Sequence, residues 1–148
     1  MSSDETAPMD RALEMAREAI DARDHPYGAV LVGRAGMVAE RNRVVSTTDP
    51  TAHAETMAIR TAAGWWGSAA LAGSTMYATF EPCPMCFGAI LEAGVERLVI
   101  GARRRIGEPP LGDYTVEALA ALTGWSAGIT VVTGPSGSPV TDFYASVA

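Results

Sequence analysis

Residues 75–101 read TMYATFEPCPMCFGAILEAGVERLVIG. Thr75 to Phe80 is rich in β-branched and aromatic residues and reads as a strand. Pro82 opens a helix that runs to about Ala93, since proline suits a first helical turn, and Gly94 caps it. Glu96 to Gly101 reads as a second strand, with Leu98, Val99 and Ile100 as a continuous apolar run of the kind buried on both faces. Strand, helix and strand with short links make a right-handed crossover between parallel neighbours. That unit sets the fold class as α/β.

Towards the C-terminus the crossover is repeated: Thr115 to Leu122 reads as a short helix and Ile129 to Thr133 as a strand, with a last helical turn or two from Val140. Towards the N-terminus, Met9, Leu13, Ala16 and Ile20 step by 4, 3 and 4, which predicts an amphipathic helix from about Pro8 to Arg23. Gly28 to Val32 reads as a buried strand, and Met37 to Val45 as its antiparallel hairpin partner across Arg34-Ala35-Gly36. Thr51 to about Trp65 reads as a helix. Thr61 to Phe80 carries no charge over 20 residues, but Ala, Gly, Ser and Thr fill much of it. It reads as helix end, loop and strand, because a single helix of that length would hold its ends ~30 Å apart. The expectation is a three-layer α/β/α sandwich with a mixed five-stranded sheet, formed by one domain over residues 1–148.

Composition narrows the chemistry. With 48% hydrophobic and 19% charged residues the chain is neither disordered nor a coiled coil. Its only cysteines are Cys83 and Cys86 and its only histidines His25 and His53, so a disulfide framework is excluded and at most one zinc-type site can be built. All 11 bases are arginine, against 17 acids, for a net charge of -6. That balance weighs against a broad nucleic-acid surface, whose affinity comes largely from neutralised phosphates. Met1 to Asp10 is polar and acidic with no apolar signal core, so a cytoplasmic protein with no membrane partner is expected.

His53-Ala54-Glu55 and Pro82-Cys83-Pro84-Met85-Cys86 both fall at predicted helix starts. Cysteines at i and i+3 share a helix face, and the helix N-terminus favours the thiolates that bind metal. One imidazole and two thiolates give three ligands to one Zn2+, with the fourth position open to water, the catalytic type of site. Such a metal lowers the pKa of its water towards neutrality. Glu55, two residues beyond His53, can take protons from that water in turn and return one to a ring nitrogen and one to a departing amine.

The paired His-x-Glu and Pro-Cys-x-x-Cys motifs resemble those of the cytidine deaminase-like superfamily, in the branch of guanine deaminases, cytosine deaminases and tRNA adenosine deaminases. The resemblance runs from about Arg11 to Thr133 and includes Pro26-Tyr27-Gly28, Asn42-Arg43 and Gly88-Ala89-Ile90. It implies zinc ligands at His53, Cys83 and Cys86, a proton shuttle at Glu55, and substrate contacts from Asn42 and the backbone N–H of Ala54. Tyr27 and Phe87 adjoin the motifs as candidate pocket residues, and Asp142 and Tyr144 are candidates for a C-terminal lid. It further implies a homodimer or larger assembly. The substrate expected first is a free nucleobase-like ring such as guanine, with cytosine or an aminotriazine also in range. A tRNA-specific adenosine deaminase and a non-catalytic zinc scaffold are the alternatives. The second alternative is weakened by the retained Glu55, and tRNA binding by the acidic, lysine-free balance and the lack of a basic C-terminal helix. Four residues keep bland readings: His25 as a rim or surface residue, Trp65 and Trp66 as packing, and Asn42 as a strand-end residue. The run Arg103-Arg104-Arg105 is either a solvated loop or a phosphate or subunit contact.

Overall fold

In the computed structural model, which describes residues 3–147, five strands form one sheet in the order β2-β1-β3-β4-β5. The strands are β1 (Gly28–Gly33), β2 (Gly36–Arg41), β3 (Thr75–Phe80), β4 (Arg97–Ala102) and β5 (Thr130–Thr133). β1 is antiparallel to both β2 and β3, whereas β3, β4 and β5 run parallel. The helices are α1 (Ser3–Asp21), the single turn α2 (Val44–Thr47), α3 (Ala54–Trp66), α4 (Pro84–Ala93), α5 (Val116–Leu122) and α6 (Pro139–Val147). The mixed sheet and its two helical layers match the sequence expectation.

The alternation of side chains along each strand sorts the helices into layers. Val30, Tyr77 and Val99 face α1 and α6, where Met9, Leu13, Ala16, Val140 and Phe143 cover them. Leu31, Met76, Leu98 and Ile100 face the other way, against Ala58 of α3, Ile90 of α4 and Val116 of α5. The layer on α1 is very thin at one point. A Cβ on Gly28 would lie 2.0 Å from the Ala12 carbonyl oxygen and 2.8 Å from the Ala16 nitrogen. Only glycine lets β1 start there.

The end of β2 and the start of α1 differ from the sequence reading. β2 stops at Arg41, and Val44–Thr47 turns as α2 instead of extending the strand to Val45. The cause is a distant carboxylate: Asp24 Oδ1 accepts from the backbone N–H of Val45 (2.9 Å) and Ser46 (2.8 Å). Its other oxygen takes the Ser46 hydroxyl and Arg41, each at 2.7 Å. Burial alone would raise the Asp24 pKa, but these donors hold it at about 2. α1 also begins earlier than Pro8, at Ser3, so Pro8 lies inside the helix. The uncharged stretch resolves as helix to Trp66, loop, and strand from Thr75. Among the described residues, no helix is long and apolar enough to cross a membrane.

Gly28→Ala is expected to destabilise the protein by about 1–3 kcal/mol or more, since the contact is to backbone and cannot give way. Urea unfolding midpoints measure this, and an unchanged midpoint would mean that α1 can move away at no cost.

Candidate metal centre and pocket

The parallel strands β3 and β4 end at Phe80 and Ala102, and the antiparallel β1 begins beside the end of β3. Tyr27, Glu81 and Arg104 therefore emerge at one edge of the sheet, the edge where open α/β sheets build sites. The helices α3 and α4 start above it. His53 is the N-cap of α3 and Cys83 the N-cap of α4, with Pro84 in the first turn. α3 begins three residues and α4 two residues later than the sequence reading, which puts His53 and Cys83 at the caps rather than inside the helices. Gly67 and Gly94 close the two helices in left-handed conformations (φ 67° and 76°).

His53 Nδ1, Cys83 Sγ and Cys86 Sγ offer donor atoms that all lie within 4.8 Å of one another. The Cys83 sulfur is 3.5 Å from His53 Nδ1. The Cys83 thiol is pulled down to about 5, chiefly by the hydrogen bond Cys86 gives it and despite partial burial, with His53 adding to the effect. Cys86 is pushed up, because it is the proton donor of that pair and is buried. Two sulfurs and an imidazole nitrogen within 4.8 Å of one another fit a soft divalent cation that takes the place of thiol protons. Thr56, one turn into α3, sits 3.3 Å from Cys86 Sγ and orients it from behind. His25 is exposed on its loop and is not part of the cluster.

A cavity of about 130 Å³ opens onto this cluster, lined by His53, Glu55 and Cys83 together with Tyr27, Phe80, Glu81 and Arg104. Glu55 is 7% exposed. Burial, reinforced by the charge of Cys83, raises its carboxyl to about 7 against some relief from a backbone hydrogen bond. Tyr27 and Phe80 form the aromatic wall, their ring centroids 5.9 Å apart.

The other candidates separate. Ala54 is buried in the first turn of α3, where backbone N–H groups have no helical partner. Asn42 is buried at the end of β2, and its Oδ1 accepts from the Val44 N–H (3.0 Å), so its carbonyl end starts α2. Phe87 does not reach the cavity. It follows Cys86 on α4, turns off the cluster face, and is fully buried in the α3–α4 core. Asp142 is exposed on α6. Tyr144 is built into the wall: its hydroxyl donates to the Pro26 carbonyl (2.7 Å), lies 2.7 Å from Thr79 Oγ1, and its ring stacks on Tyr27 at 6.0 Å. Trp66 packs against the core, while Trp65 is 74% exposed.

Three pocket residues carry no motif of their own: Phe80, Glu81 and Arg104. Glu81 is buried, accepting from the backbone N–H of Arg104 (3.1 Å) and Val116 (3.0 Å) and pairing with Arg103 Nε (3.2 Å). Phe80 is marked in the sequence only by its place at a strand end, Glu81 only as the first residue of the stretch to Cys86 that carries the family resemblance, and Arg104 only as the middle of the arginine run.

The family model for the cytidine and deoxycytidylate deaminase zinc-binding region matches residues 1–102, and the chain belongs to that family. Zinc is accordingly the metal that His53, Cys83 and Cys86 are placed to hold. The chain is 49% identical over 96 residues to a tRNA(Ile)-lysidine synthase of Deinococcus deserti, covering 64% of this chain and 18% of that one. It is 45% identical over 82 residues to a guanine deaminase of Bacillus subtilis, covering 54% of this chain and 53% of that one. The chain thus spans about half or less of these two relatives. A solved structure from work on A-to-I editing by tRNA:A34 deaminases superposes with a TM-score of 0.79 at 34% identity, covering 97% of this chain and 99% of that one.

Two outcomes are expected at this centre. The protein should bind one zinc per chain by elemental analysis, and Cys86→Ser should fall well below that ratio; two metals per chain would break the single-site assignment. The raised Glu55 carboxyl makes a second, pH-dependent claim. The stability that its protonated form contributes is complete below the ordinary value of 4.5 and is lost as pH rises through about 7. Metal-free Glu55→Gln should therefore gain on the metal-free wild type as pH rises from about 5 to about 8. A gap in urea midpoints that stays flat over that range would show that the carboxyl is not the titrating group.

Proposed function

We propose that the protein is a hydrolytic aminohydrolase acting on a free, aminated nucleobase-like ring, with a purine such as guanine first. The observation that carries the reading is Glu55: a buried carboxyl in the same cavity as His53 and Cys83. Zinc, when bound, supplies activation of a water molecule. Glu55 takes a proton from that water and delivers protons to the ring nitrogen and the leaving amine. Oxygen bonds to the amino-bearing ring carbon, the exocyclic C–N bond breaks, and the products are a ring carbonyl and ammonia. Tyr27 and Phe80 offer planes to the ring. The Ala54 N–H is a donor without a helical partner, and Asn42, its carbonyl spent on Val44, has its NH2 end left to address the ring.

The arginines favour a small substrate. Arg11, Arg41, Arg43, Arg60, Arg97, Arg103 and Arg105, seven of the 11, have a carboxylate within 4.0 Å. Little positive charge remains for phosphates. Near-complete coverage by a structure from work on tRNA:A34 deaminases favours the second reading, deamination of a tRNA adenosine.

Ammonia release from a panel of free bases, nucleosides and an anticodon stem-loop separates the two. Release from a free base is expected; release confined to the stem-loop would reject the first reading in favour of the second. Glu55→Gln should keep its zinc and lose turnover by roughly a hundred- to ten-thousandfold. Normal turnover in that variant would remove the proton-shuttle role.

A further inference from the structure

The three consecutive arginines leave β4 in three different situations. Arg103 is saturated by Glu81, by Glu117 (Nη1 to Oε2, 3.0 Å) and by Thr133. Arg105 is exposed and faces Glu108 at 3.6 Å. Arg104 alone lines the cavity, and it makes no ion pair among the described residues. Its backbone N–H is held by Glu81, which fixes where the side chain starts. Its guanidinium lies over the Phe80 ring, 5.6 Å from the centroid, and its Nε is buried with no hydrogen-bond partner.

A buried N–H without an acceptor is rare in folded proteins. Among the described residues none accepts from it. Glu81, which lines the same cavity, is already occupied by two backbone N–H groups and Arg103. The Phe80 ring attracts the guanidinium that lies over it. A planar fork of donors, held at its base and on one face beside an aromatic wall, is a receptor for a carboxylate or a phosphate.

We infer that Arg104 is a specificity-determining residue: among the aminated rings of the reading above, it favours those that bear an anionic substituent, a carboxylate or a phosphate, which this guanidinium takes. The inference rests on the aminohydrolase reading above and narrows its substrate class. A ring bound beside Tyr27 would present its amino-bearing carbon to Glu55 and its anion to Arg104, all three of which line the same cavity.

The test measures binding by calorimetry to the zinc-loaded Glu55→Gln protein, so that turnover is not needed. The probes are cytosine and cytosine-5-carboxylate, cytidine and CMP, guanosine and GMP, and an anticodon stem-loop. The anionic rings are expected to bind roughly tenfold to a hundredfold more tightly than their neutral parents, as a charge-assisted hydrogen bond implies. Adding Arg104→Gln should bring that ratio near one, while Arg104→Lys restores part of it. The carboxylate and nucleotide arms identify which anion is read. A ratio near one with Arg104 intact, a ratio that survives Arg104→Gln, or an Arg104 effect confined to the stem-loop each overturns the assignment. Ammonia release from neutral bases by the otherwise unaltered protein, together with such a result, would overturn the role of Arg104 and leave the aminohydrolase reading standing. Absence of ammonia release from every free ring would count against that reading itself, and the binding ratio would still judge Arg104. Urea midpoints of the Arg104 variants within error of the parent confirm that a lost ratio is not a lost fold.

Discussion

The Glu81 carboxylate is the fastening on which the pocket depends. It sits where β3 has just ended, and its own N–H is spent on the Ala102 carbonyl at the end of β4. Its two oxygens then take the backbone of Arg104 and of Val116, the first residue of α5. One side chain thus joins a strand end, the loop after the neighbouring strand, and a helix that begins 35 residues later. A buried carboxylate is tolerable only when its lone pairs are filled, and here backbone donors and Arg103 fill them. Because Cys83 is two residues beyond Glu81, the same fastening sets the height at which α4 starts. The adjoining Tyr114 hydroxyl, donating to the Pro82 carbonyl at 2.7 Å, ties the α5 loop to the same point.

From that point the chemistry is a matter of where helices begin. Two N-caps bring an imidazole and a thiol together, and the next turn of each helix adds the buried Glu55 and Cys86. The dipoles and unpaired N–H groups of both first turns converge on the side where negative charge is concentrated, which lowers the cost of holding thiolates there. Thr56 completes the arrangement from behind Cys86. The layers below contribute position alone, and they do so with small residues, such as Ala54, Ala58 and Ala62 along α3, that let the helix lie close on the sheet.

The cluster and the sheet were legible because their signals are local. His53, Cys83 and Cys86 exhaust nearly the whole stock of imidazole and sulfur, and their spacing on short helices decides their geometry. Strand ends at Phe80 and helix stops at Gly94 follow from residue type in the same way. What could not be read depended on partners far along the chain. Val44 and Val45 are β-branched and read as strand, yet the Asp24 carboxylate, about 20 positions earlier, bends them into a turn. Phe87 neighbours a ligand in sequence but points away from it, since a helix rotates successive residues by about 100°. The arginine run is uniform on paper. Its division into a structural, a pocket and a surface residue is made by Glu81, Glu117 and Glu108, only the last of which is local.

The hydroxyl of Tyr144 spans Pro26 and Thr79, a reach of 118 positions on one side and 65 on the other. The last aromatic residue of the chain is consequently the backing plate of the first pocket residue, Tyr27. The width of the aromatic slot is then governed by how α6 seats on the sheet and not by the loop that carries Tyr27. Sequence drift in a peripheral helix, far from any ligand or proton shuttle, becomes a route by which the cavity can be widened or narrowed while the reactive centre stays as it is.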